Sequence, residues 1–340
     1  MKLMSGPDTT TALVMLAISV AFSGRVMASD GITVTDVFGH FATGDTVTIN
    51  GVGFGAKSPA LPLLWDDFEG HPIGAGIGDP IVGSYSRIGI TVYTDANSYS
   101  GQVCAYSNID GTGGFPGLVA NWVPNEAKDA FASMKFKIVS SYGSVAPHNI
   151  KLLRLNAHDP DPTHGYPNFN IGNECTQTTF KGIINHGLLG QIYFGGFGDL
   201  PNPTGWNSLS IWDHMGDPDT ANGFAGRCIN DQVNEIHDRI TLQSGHLGGL
   251  RSAFFCGYIS HEGHDVDLYL DDLYADTSLA RVEIYADTGF HEMQVPIAWS
   301  DGSISVICNS GSYAPGTEVQ LVVYDADGNV SPPFSLKVAR

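Results

Sequence analysis

From residue 31 onward, apolar and polar positions alternate in short segments instead of recurring every three or four residues. Thr46-Val47-Thr48-Ile49 runs into Asn50-Gly51, and Glu318 to Tyr324 alternates until Asp325-Ala326-Asp327-Gly328. Alternation sends successive side chains to opposite faces of a strand, and breaks of this composition are hairpin signals. Only Asn125–Phe131 and Asp231–Arg239 read as helical, and each is short. The pattern predicts an all-β protein of many short strands, a sandwich or a jelly roll.

Breaks in the pattern divide the chain. Lys2, the apolar run Ala12 to Phe22 and the small-x-small string Val26-Met27-Ala28 have the form of a cleaved export signal, residues 1–28. That run is shorter than the roughly 20 apolar residues a membrane span needs, and no later stretch approaches that length. Residues 29–62 end in a proline-bearing segment, 63–276 are rich in aromatic residues and histidine, and 277–340 return to short strands and tight turns. The first of these parts is too small to close a core alone, so it calls for a partner, and the last part is the natural one.

Composition narrows the partners. Glycine (42) and proline (18) are abundant while charged residues make up only 15%, which disfavours helical bundles. A net charge of −19 argues against a nucleic-acid partner, because binding phosphates calls for a basic surface. The five cysteines, Cys104, Cys175, Cys228, Cys256 and Cys308, follow the export signal, where disulfides persist. Their wide spacing contains no C-x-x-C and leaves open both two bridges with one free thiol and five buried thiols.

The string GITVTDVFGHFATGDTVTINGVGFG (31–55) resembles the opening hairpin of IPT/TIG domains, which are immunoglobulin-like, and the block from Ala280 to Ser331 resembles the remainder of such a domain. LLWDDFEG (63–70) and DLYLDDLYAD (267–276) resemble the first and last strands of concanavalin A-like lectin/glucanase jelly rolls, the LamG-like group. The resemblance implies a jelly-roll sandwich, 63–276, inserted into an Ig-like sandwich made of 29–62 and 277–340. Closely spaced termini make such an insertion tolerable.

Candidate chemistry falls in two groups. On the closing strand Val266, Leu268 and Leu270 share the core face, and Asp272 follows on it; a bare carboxylate there calls for a partner. With Asp67 and Glu69 of the opening segment, it resembles the structural calcium site of jelly-roll carbohydrate-binding modules. The acidic row Asp265, Asp267 and Asp271 reads as a solvated face. Asp217 to Gly223 reads as a turn, and the acids of Glu235-Ile236-His237-Asp238 fall on opposite strand faces, so neither makes a site.

The second group is polar and aromatic. Arg154, Asn156 and His158 share one face of a strand, Gln191 and Tyr193 share another, and Trp206 and Trp212 lie together opposite Leu209 and Ile211. On one concave sheet these would stack on sugar rings and bind hydroxyls. The expected function is that of an exported, non-catalytic, glycan-binding or surface-matrix protein with extracellular polysaccharide or cell-surface glycan as partner. Alternatives are a polysaccharide lyase or glycoside hydrolase, and a self-associating filament subunit using exposed strand edges. Jelly-roll lyases carry a Gln-x-His pair, and Gln191-Ile192-Tyr193 departs from it.

Overall fold

Alternation carries through to 22 strands and, among the described residues, no helix. The computed structural model describes residues 31–110, 115–122, 126–140, 149–157, 170–176, 179–185, 191–198, 202, 205–239, 249–260 and 265–340; within strands, the backbone alone is described at 109–110, 140, 149–150, 170–198, 257–260 and 265. The export-signal segment 1–28 and His158 lie outside these residues.

One sandwich draws on both ends of the chain. β1 (Thr33–Phe38) and β2 (Thr46–Val52) pair in sequence with β20 (Ser303–Ile307), β19 (Glu292–Ser300), β18 (Arg281–Tyr285), β21 (Glu318–Tyr324) and β22 (Phe334–Lys337). β19 pairs with β18 through Glu292–Gln294 and with β20 from Val295 onward, with an irregularity between Pro296 and Ala298. A strand that changes partners at such a bend lets one ribbon fold over itself. Val47, Ile49, Ile304 and Val306 thereby meet Val282, Ile284, Leu321 and Val323 in one buried core. Asn50-Gly51 is not the expected turn: β2 runs on to Val52, with Gly51 opposite Val34. Any side chain at Gly51 would collide with the Thr33 carbonyl and the Phe54 ring, so glycine serves close approach here.

Residues 64–276 form a second sandwich of two facing antiparallel sheets. One has the order β12 (Gln191–Gly198), β11 (Thr179–Asn185), β10 (Asn170–Thr176), β9 (Asn149–Ala157), β16 (Leu250–Ser260), β7 (Leu118–Asn121), β4 (Tyr85–Ile88). The other has β15 (Gln232–Arg239), β14 (Gly223–Ile229), β13 (Asn207–His214), β8 (Asp129–Ser140), β17 (Asp265–Asp276), β6 (Cys104–Asp110) and β5 (Val92–Thr94), with β3 (Leu64–Asp66) also on β17. Successive strands β6 to β9 alternate between sheets, and β16 and β17 slot between them, the nesting of a jelly roll. Leu153, Leu155, Ala253 and Phe255 of the first sheet pack on Met134, Phe136, Leu209, Ile211 and Leu268 of the second.

Both expected helices are corrected. Asp129–Phe131 opens β8, and Gln232–Arg239 is β15, held in register with β14 from Gly223↔Arg239 to Ile229↔Gln232. Weak local propensity yielded to ladder pairing. The turn at 217–223 stands: Asn222 Oδ1 accepts from the Asp217 amide, and Asn222 Nδ2 donates to Asp217. Cys104, Cys228 and Cys308 carry free thiols.

A third buried cluster joins the sandwiches. Trp65, Phe131, Trp212 and Tyr274 on the outer face of the β8–β13–β17 sheet pack against Leu279, Met293 and Val295. Buried charge accompanies it. Lys57 Nζ lies 2.7 Å from Asp276 Oδ2, so the outgoing and returning chain segments are clasped together. Lys135 Nζ lies 3.1 Å from Glu292 Oε2, an ion-pair contact without hydrogen-bond geometry.

Candidate functional site

With one outer face of the jelly roll covered, the other remains. Leu153, Leu155 and Ala157 enter the core, which leaves Arg154 and Asn156 on the outer face of β9, both half-buried. Register then fixes what lies beside them. The pairings Asn121↔Ser252, Ser252↔Asn156, Asn156↔Asn170, Asn170↔Asn185 and Asn185↔Gln191 form one row across β7, β16, β9, β10, β11 and β12. Every position in it is an amide or hydroxyl residue. Six strands with gaps of about 4.8 Å make a row of about 24 Å.

The adjoining row is Arg87, Val119, Phe254, Arg154, Gly172, Ile183, Tyr193. A third follows where β9 and β16 are irregular: Tyr258, Lys151, Glu174, Lys181. Arg87, Arg154, Lys151 and Lys181 are four of the 16 basic residues of a chain with 35 acidic ones. Burial pushes the Arg154 guanidinium down to about 10, which still leaves it charged at neutral pH. Arg87 lies 4.0 Å over the Phe115 ring, a cation–π contact that holds it at the sheet edge.

The remaining candidates fall elsewhere. Trp206 and Trp212 belong to the opposite sheet. Trp212 is buried: its indole lies across Gly226, which has no side chain to obstruct it, and Nε1 donates to Glu235 at 3.1 Å. Its alternation relative to Leu209 and Ile211 was legible, but the module that covers it was not. Trp206 is half-buried and meets the Tyr99 ring edge-on at 5.7 Å. Arg154 and Tyr193 stand three strand gaps apart, about 14 Å, too far to act on one sugar ring.

Asp272 also moves. An extra residue between Asp271 and Tyr274 shifts the register of β17, and Asp272 takes a left-handed φ of 48°. Leu273 and Ala275 therefore fill the core positions that simple alternation gives to Asp272. Asp272 is buried, Oδ1 accepts from Ser100 Oγ at 3.3 Å, and Oδ2 has no hydrogen-bond partner. Burial, followed by the nearby Glu292 charge, pushes its carboxyl well above the usual range. Asp67 also bears on it electrostatically. Glu69 is committed otherwise, since Oε1 accepts the Gln102 and Val103 amides at 2.7 and 2.8 Å. Among the described residues, no three His, Cys, Asp or Glu side chains converge as a ready metal cage.

No protein-family profile matches the chain, and no curated protein matches it. Solved structures do. An endo-β-1,4-glucuronan lyase from the fungus Trichoderma reesei is 9% identical, with 64% of this chain and 97% of that one covered at a TM-score of 0.45. Alginate lyase Aly36B is 12% identical, with 64% and 98% covered at 0.46, and the cellulose-induced protein Cip1 is 12% identical, with 63% and 97% covered at 0.40. No activity follows for this chain from similarity at these values.

Proposed function

We propose that the protein is exported and that the outer face of the β4–β7–β16–β9–β10–β11–β12 sheet binds an extended polysaccharide bearing carboxylates. The observation that carries this reading is the unbroken amide and hydroxyl row from Asn121 to Gln191, flanked by Arg87, Arg154, Lys151 and Lys181. Amides exchange hydrogen bonds with hydroxyls in both directions, and guanidinium pairs with carboxylate in fork geometry. Residues spread over about 24 Å suit successive sugars along a chain better than one reacting centre.

Titration of the protein with a polyuronate hexasaccharide tests it. The expected result is salt-sensitive binding that Arg154→Ala weakens about tenfold, or about 1.4 kcal/mol, with the melting temperature kept. Binding equal in the variant refutes the reading. The same incubation, followed for new unsaturated chain ends, tests the lyase alternative.

The orphan Oδ2 of Asp272 supports a second, structural reading. A calcium ion held by Asp67, Asp272 and neighbouring carbonyls would compensate buried negative charge. Calcium should then raise the melting temperature of the chelator-treated protein and leave Asp272→Asn unmoved. An equal response in both refutes the site.

A further inference from the structure

The outer face of the β8–β17–β6 sheet is only partly covered by the second sandwich. Beyond the covered part, Tyr106 of β6 pairs with Tyr269 of β17, and Tyr269 pairs with Lys137 of β8. Trp206 stands one position before Asn207, whose partner is Phe136, so it continues the row beside Lys137. Four neighbouring positions across the sheet thus hold three aromatic rings and one ammonium. The Tyr106 and Tyr269 rings lie 5.0 Å apart at 36°, with Tyr269 as the buried floor and Tyr106 half-exposed above it. Trp206 and Tyr99 form the far wall.

Polar groups rim the strip. Asp267 Oδ1 accepts from Tyr106 Oη at 2.7 Å and from Asn108 Nδ2 at 2.8 Å, which fixes the carboxylate beside the Tyr106 hydroxyl. Lys137 Nζ donates to Asn97 Oδ1 at 2.8 Å. Lys137 and Asp267 bring one charge of each sign, and Asp110 pairs with Asp265 at the next outer register position. With one charge of each sign the strip offers an anion no net attraction, in contrast to the rows of the opposite sheet that carry Arg87, Arg154, Lys151 and Lys181.

We infer that this strip is a second carbohydrate site, separate from the proposed polyuronate face, and that it takes an uncharged pyranoside chain. Aromatic faces stack on the C–H side of a sugar ring, and the Asp267, Asn108, Asn97 and Lys137 groups at the rim both accept from and donate to hydroxyls. Tyr106, Tyr269 and Lys137 sit on paired strands, so the floor of the strip is formed before any ligand arrives.

The test uses the full-length mature protein and three neutral probes: cellohexaose, xylohexaose and mannohexaose. At least one probe should shift the Trp206 indole and Tyr106 ring resonances, with a Kd of about 1 mM or tighter. Tyr106→Ala should weaken that binding about tenfold. Asp267→Asn, which keeps shape and removes charge, should weaken it severalfold with an unchanged melting temperature, so a folding defect in the first variant leaves the second decisive. Absence of shifts with all three probes overturns the site. So does a polyuronate hexasaccharide that shifts the same two rings as strongly as the neutral probes.

Discussion

The two outer faces of the jelly roll are built from the same alternation and meet opposite fates. On β8, β13 and β17 the outward residues include Phe131, Trp212 and Tyr274, and the second sandwich seals them with Met293 and Val295. On β9 and β16 the outward residues are Arg154, Asn156, Ser252 and Phe254, and the buried cluster that joins the sandwiches contains none of them. Aromatic residues outside a core are thus no sign of a ligand by themselves. Trp212 resembles a sugar platform in sequence and serves as a joint in space. A row that remains polar across many strands is the contrasting case, because a face buried against protein must match its polar groups one by one.

The comparison makes the sealed face the place where substitutions hurt. Trp212→Ala should cost about 3–5 kcal/mol in urea denaturation, as for other large buried aromatics. A loss under about 1 kcal/mol would mean the joint is loose. Lys57→Ala leaves Asp276 buried without its cation, a change that typically costs about 3–5 kcal/mol. Burial already holds the Asp276 carboxyl up at about 6 beside Lys57, so partial protonation should keep this loss near about 3 kcal/mol at neutral pH. Gly226→Ala sets a methyl against the Trp212 indole and should cost about 1–3 kcal/mol through overpacking. On the other outer face, replacing the exposed Asn121 in Asn121→Ala should change stability by no more than about 0.5 kcal/mol; a larger loss would show that its side chain is held by protein contacts.

The joint should also respond to pH in a defined sense. Glu283 accepts from His291 Nδ1 at 2.7 Å and pairs with Arg281. Against the burial that opposes it, the Arg281 charge and the His291 bond hold its carboxyl down at about 2. A depressed carboxyl stabilises the fold above its unfolded value, near 4.5, and that contribution is lost as pH falls through about 2. Against the burial that lowers it, His291 is shifted upward by the bond and charge of Glu283 and by Asp231, 3.6 Å away, so its contribution is full below about 6.5 and fades as pH rises through the higher folded value. Melting temperatures of His291→Gln across pH 3 to 9 should lose the alkaline slope. An unchanged slope would detach His291 from the joint.

Much of the fold was legible one strand at a time. Alternation identified Glu318 to Tyr324 as a strand and set Leu209, Ile211, Val266 and Leu268 on core faces, since burying one face of a pleated strand imposes a period of two. The same rule failed where the backbone departs from it. A bulge displaced Asp272 from the core face, and β2 ran on through an Asn-Gly pair because Gly51 is pressed against Phe54 and Thr33. Of the candidate residues, Arg154 with Asn156 lie on β9 and Gln191 with Tyr193 on β12, the strand groupings that alternation gave. Asn170, Asn185, Ser252 and Asn121 were not seen, because nothing along the chain says which strands become neighbours.

The sequence by itself determined the all-β class, the core positions within strands and the acidic charge, which are properties of single segments and of composition. Tertiary structure decided which strands lie side by side, which outer face is sealed, and that Trp212 joins modules while Trp206 stands beside Tyr106, Tyr269 and Lys137. Register and module docking are long-range choices, made by the sum of many weak cross-strand contacts, and no local pattern contains them.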